Sequence, residues 1–101
     1  MKPGMDRALR TLETLLEDDE VTDGMAVRAH GENLILAREE EADSGESVVD
    51  DRVRLTRLSK TRWGLGVKRH TGRWERTPYA GSLAEMATTI QTFMQHLVAP
   101  Y

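Results

Sequence analysis

The chain has 101 residues, 14 lysines and arginines against 17 aspartates and glutamates, a formal net charge of −3 and no cysteine. A chain of this length buries roughly 60–68 % of its unfolded surface, enough for one core and not two, so one domain spanning 1–101 is expected. The missing cysteines exclude disulfides, thiol nucleophiles and cysteine-ligated metals, which fits a reducing cytoplasm. The longest aliphatic run, Leu34-Ile-Leu-Ala37, is too short for a signal segment or a membrane span.

In chain order, Met5, Leu9, Leu12 and Leu16 recur at helical spacing, with Ala8 and Leu15 widening the stripe. This first helix should stop near Asp18-Asp-Glu20, because acids at a helix C-terminus oppose its dipole, and Thr22-Asp-Gly24 supplies a turn. Met25–Ala29 and Leu34–Arg38 then flank His30-Gly-Glu-Asn33, whose Gly-X centre suits a type II′ hairpin. A register pairing 29 with 34 and 27 with 36 gathers Met25, Val27, Ala29, Leu34 and Leu36 on one face. Glu39–Asp51 holds seven acids and no base, so a loop or frayed strand ends, the solvated tip of a hairpin, are expected around 42–49. Its acid spacing does not match a calcium loop.

Arg52–Ser59 alternates Val53 and Leu55 against Arg52, Arg54 and Thr56, and Lys60-Thr-Arg62 turns the chain into Trp63, Leu65 and Val67. A two-residue turn at Thr71-Gly72 would pair 68 with 75, 66 with 77 and 64 with 79. Trp74 then joins the buried face, Lys68 meets Glu75, and Tyr79 lies across bare Gly64, while Pro78 marks an edge strand. Ser82-Leu-Ala-Glu85 has the form of a capping box, opening a helix whose stripe is Leu83, Met86, Ala87, Ile90, Phe93, Met94 and Leu97. That helix runs to about Val98, and Pro100 ends it.

The expected fold is α+β, a two-layer sandwich in the order α-β-β-β-β-β-α, with an antiparallel meander sheet and both helices on one face. The other face of the sheet is left open.

No G-x-S-x-G elbow, H-E-x-x-H pair or P-loop occurs, and Gly64-Leu-Gly66 lacks the remaining glycine and the helical context of a dinucleotide fingerprint. No catalytic, cofactor or metal site is therefore expected, and His30, His70 and His96 read as surface residues. Charge, by contrast, is segregated. Residues 1–51 carry 15 acids and 5 bases, whereas 52–76 carry 9 bases and one acid. Arg28, Arg52, Arg54, Lys68, His70 and Tyr79 fall on the expected open face, with Arg73 beside its turn.

Two readings follow. Charges of both signs around Ile35, Leu58 and Tyr79 suit a polar surface for a protein partner or a homodimer. Alternatively, arginines beside an accessible aromatic suit single-stranded nucleic acid. The closing strands followed by Gly81-Ser-Leu and a helix resemble the single-stranded-DNA-binding coactivators of the Whirly type. The helix–strands–helix order is also similar to double-stranded-RNA-binding domains. Ser82-Leu-Ala-Glu-Met-Ala-Thr-Thr-Ile, however, carries none of the basic residues such domains place at their second helix.

Overall fold

A computed structural model describes residues 3–99. Helix α1 (Met5–Glu17) is followed by strands β1 (Ala26–His30), β2 (Asn33–Glu41), β3 (Ser47–Arg57), β4 (Trp63–Lys68) and β5 (Trp74–Gly81), then by helix α2 (Leu83–Phe93) and the short α3 (Gln95–Val98). The strands form one antiparallel sheet in the order β1-β2-β3-β4-β5, a meander of the expected α+β class. Pro100, the expected helix terminator, lies outside the described residues.

The core is where the helical stripes meet one face of the sheet. Met5, Leu12 and Leu16 of α1 and Met86, Ala87, Ile90 and Met94 close over Leu34, Leu36, Val53, Leu55, Trp63 and Leu65. Each such side chain contributes about 1.5–3 kcal/mol by leaving water. A polar joint locks the two helices together: buried Thr22 donates to the Leu16 carbonyl at 2.7 Å, and Gln91 Nε2 donates to the Leu15 carbonyl and to the Thr22 hydroxyl, both at 3.1 Å. The carbonyls that end α1 are thereby satisfied without the basic residues a helix C-terminus favours.

The first hairpin has the expected register, Ala29 opposite Leu34 and Val27 opposite Leu36. Gly31 supplies the positive φ of 60° that its turn needs. The capping box is also present, with the Glu85 N–H bonded to Ser82 Oγ and the Ser82 N–H bonded to Glu85 Oε1.

Several expectations are corrected. The acidic hairpin tip is narrower than 42–49: β2 runs to Glu41, β3 starts at Ser47, and only residues 42–46 turn. Two of this hairpin's carboxylates are drawn together rather than left to repel, because Glu40 and Asp50 flank the Arg52 guanidinium at 2.8 Å each.

Arg52 itself is not on the open face. Leu36 pairs with Val53 but Ala37 pairs with Asp51, so Arg52 is the extra residue of a β-bulge, and it points to the helical side beside Val53. Only 7 % exposed, its Nη1 donates to the carbonyls of Leu97 and Ala99.

The β4–β5 turn is not the two-residue Thr71-Gly72. Arg69 N–H bonds the Arg73 carbonyl and Gly72 N–H bonds the Arg69 carbonyl, closing a loop of His70, Thr71 and Gly72 with Gly72 at φ 88°. One residue more in the loop moves the register by one, so Lys68 pairs with Trp74 and Gly66 with Arg76. A slip of one residue exchanges the faces of a strand, which puts Trp74 on the open side.

The register shifts again before Gly64 meets Ala80, around Thr77, Pro78 and Tyr79. Tyr79 consequently does not cover Gly64. It stacks at 6.5 Å on Phe93, which is 65 % exposed and not a core residue, and the Leu58 side chain takes the place over Gly64. The closing helix also breaks, at Met94 (φ −121°), where α2 gives way to α3.

Candidate binding face

The open face is built by the pleat. With Leu34, Leu36, Val53, Leu55 and Leu65 committed to the core, the alternate residues Arg28, Ile35, Ala37, Asp51, Arg54, Thr56, Gly64, Gly66 and Lys68 point the other way. The corrected register adds Trp74 and Arg76.

Its charges divide into a compensated group and an uncompensated one. Arg28 makes a two-pronged ion pair with Asp51, at 2.6 and 2.8 Å. The hydrogen bond from Arg28 holds the Asp51 carboxyl below the usual aspartate range, and the same bond raises Arg28. Among the described residues, Arg54, Lys68 and Arg76 face no carboxylate within ion-pair distance. Arg54 Cζ lies 4.9 Å and Lys68 Nζ 5.9 Å from the centroid of the Trp74 ring. Two cations are thus held by one aromatic. Arg54 Nε is buried with no acceptor.

Glycines make the face concave. A Cβ at Gly66 would lie 3.4 Å from the Glu75 carbonyl and 3.9 Å from Arg54 Nε, and one at Gly64 would meet Leu58 at 3.4 Å. Without those side chains a cleft of about 330 Å³ opens, with Gly64 and Gly66 at its floor, Arg54 and Arg76 among its polar lining, and Leu58, Pro78 and Tyr79 among its apolar lining. That volume is at the small end of ligand pockets. Asn33 and Thr56, joined by a 2.6 Å hydrogen bond, also line it.

Of the residues singled out from sequence, Arg28, Arg54 and Lys68 are brought to the open face. His70 and Arg73 stand exposed in and beside the β4–β5 loop, Arg52 is buried on the helical side, and Tyr79 sits at the rim of the cleft, on Phe93. Trp74 and Arg76 were missed because both depend on the length of the β4–β5 loop. A glycine in the third loop position is the sequence signal for the longer turn, and His70-Thr-Gly72 carries it.

A larger hollow of about 920 Å³ lies between the start of α1 and the β3–β4 turn, reaching Trp63, Leu58 and Leu83. Arg57 braces its wall by donating to the Pro3 carbonyl and to Glu32, both at 2.6 Å. Among the described residues no three His, Asp or Glu side chains converge as metal ligands, and no helix is long and apolar enough to cross a membrane. The chain matches no protein-family model, no curated protein and no solved structure.

Proposed function

We propose that the chain is a non-enzymatic interaction module that binds a protein segment through the open face of its sheet. The segment is one that presents acidic and apolar side chains on the same face. The supporting observation is the group of three cations without ion-pair partners among the described residues, Arg54 and Lys68 against Trp74 and Arg76 on the same face, beside an apolar-rimmed cleft. A strand-like segment has the right period: its inward-facing side chains, two residues apart, would meet the arginines where they are carboxylates, and Leu58, which is 58 % exposed, and Tyr79 where they are apolar. Acceptors from such a partner would also approach Arg54, whose Nε now lacks one at a cost of about 1–3 kcal/mol.

Single-stranded nucleic acid is the second reading, favoured by the same three cations. Against it stand Glu39, Glu41 and Asp51 on the same face, which repel a phosphate chain. Titrating the full chain with a synthetic peptide that places glutamate and valine in turn at every second position, with threonine between them, and separately with oligothymidylate, distinguishes the two by tryptophan fluorescence. The peptide is expected to bind, weakening with salt and on Arg54→Glu. Binding of the oligonucleotide alone, with a salt slope that Arg54→Glu flattens by about one unit, would replace this reading with the nucleic-acid one. A response to neither overturns both.

A further inference from the structure

The β2–β3 hairpin extends past the rest of the sheet. β1 pairs with β2 only as far as Ala37, and β4 pairs with β3 only from Val53, so residues 38–41 and 47–50 pair with each other alone. Two strands standing beyond their neighbours form an arm, and an isolated two-stranded ribbon is marginal in water. Among the described residues the arm is braced on its helical side. There Arg38 donates to the carbonyls of Val21, Asp23 and Val98, and Arg52 joins Glu40 and Asp50 to the end of α3. On the open side it displays Glu39, Glu41 and Val49, and Val49 is 54 % exposed in mid-strand. Neither Glu39 nor Glu41 has an ion-pair partner among the described residues.

These are the features the cleft lacks, and they lie at the other end of the same strand. Along β3 the arm comes first, at Ser47–Asp51, and the cleft last, at Arg54, Thr56 and beyond. Resting on the reading above, we infer that the segment bound is the arm of a second copy of this chain. Two molecules pair open face to open face with their β3 strands antiparallel.

A two-fold axis lying between the sheets and perpendicular to β3 brings each arm over the other molecule's cleft. Glu39 and Glu41 of β2 approach Arg54 on the neighbouring β3, and Val49 approaches Leu58. The contact is then made twice and closes on itself, as an isologous dimer requires. The five-strand part is about 24 Å by 20 Å and the two-strand arm about 10 Å by 17 Å, roughly 650 Å² in projection, so a weak dimer is expected. A standard interface takes about 800 Å² from each partner. Aligned packing of two twisted sheets, about 30° apart, allows both ends to engage.

The test exploits the charge pattern. One variant reverses the cleft (Arg54→Glu with Arg76→Glu) and another reverses the arm (Glu39→Lys with Glu41→Lys). Sedimentation velocity across a concentration series should report a dimer for the unaltered chain. For each variant alone, where like charges meet, its dissociation constant should rise about tenfold or more. An equimolar mixture of the two variants should regain the dimer, because both contacts are then between opposite charges.

Circular dichroism establishes that each variant is folded. Val49→Asp supplies an independent arm variant that should weaken the dimer without moving the denaturation midpoint measured at concentrations where the chain is monomeric. A chain that stays monomeric at every concentration overturns the inference, as does a dimer that neither reversal weakens or a mixture that fails to recover. The monomeric outcome leaves the peptide titration to decide the open face separately: a monomer that binds the peptide refutes the self-docking and keeps the binding face.

Discussion

Arg38→Met isolates what a buried cation contributes to this fold. Arg38 is 6 % exposed and donates from Nε to the Val98 carbonyl at 2.8 Å, from Nη1 to Asp23 at 2.7 Å and from Nη2 to Val21 at 2.9 Å. It ties the central β2 to the α1–β1 connection and to the end of α3. Methionine keeps the aliphatic stem and removes all three donors. The bond to Val98 is fully buried, so its acceptor is left unpaired, a loss of ~1.5–3 kcal/mol for a charged donor. The other two carbonyls are partly open and regain water, which reduces each loss to ~0.5–1 kcal/mol. Against these stands relief of the buried charge: burial, and then the positive charge of Arg52, push Arg38 below the ordinary guanidinium value. The net is a destabilisation of about 2–4 kcal/mol. For a domain of this size that corresponds to a fall in Tm on the order of 10–30 °C. Urea denaturation followed by tryptophan emission measures it. Arg38→Lys should recover only part of the loss, since one ammonium cannot span three carbonyls at these positions. A loss below about 0.5 kcal/mol for Arg38→Met would refute the claim that these bonds hold the three segments together.

Three further outcomes are expected. Ser82→Ala removes one half of the capping box and should cost about 0.5–2 kcal/mol, read as a lowered denaturant midpoint; an unchanged midpoint would mean that the cap contributes nothing to α2. Asp51 is held below its ordinary pKa by Arg28, so its contribution is full above the unfolded aspartate value of about 3.9 and is lost as pH falls through the lower folded value. Asp51→Asn should therefore be the less stable chain at pH 7 and converge on the unaltered chain under strong acid, and a stability gap that persists there would contradict the assignment. Trp63 is buried and Trp74 only half-buried, so Trp63→Phe, which reports Trp74, should emit farther to the red than Trp74→Phe. The reverse order would show that the register of β5 is wrong.

The local pattern of the sequence was enough for the class of fold, the elements and most of the core. Stripes at helical spacing marked Leu12, Leu16, Met86 and Ile90, and alternation marked Leu34, Leu36, Val53 and Leu55, because burying one face imposes a period that each element carries within itself. The first hairpin and the capping box were legible for the same reason, each being complete within a few residues.

What tertiary structure alone decided was which way certain side chains face. The bulge at Arg52 arises because the arginine has carbonyls to satisfy at the end of α3, some 45 residues away, and nothing near it in the chain announces them. The third loop residue at Gly72 moved Trp74 from the expected core to the open face and brought Arg76 with it. Phe93 fits the apolar stripe of its helix, yet it stacks outside on Tyr79, because the second register shift carried that tyrosine off Gly64. The candidate face depends on these non-local choices. The sequence supplied its cations, and only the strand register determined which of them stand together around Trp74: a one-residue offset leaves composition and periodicity unchanged while exchanging the two faces of a strand.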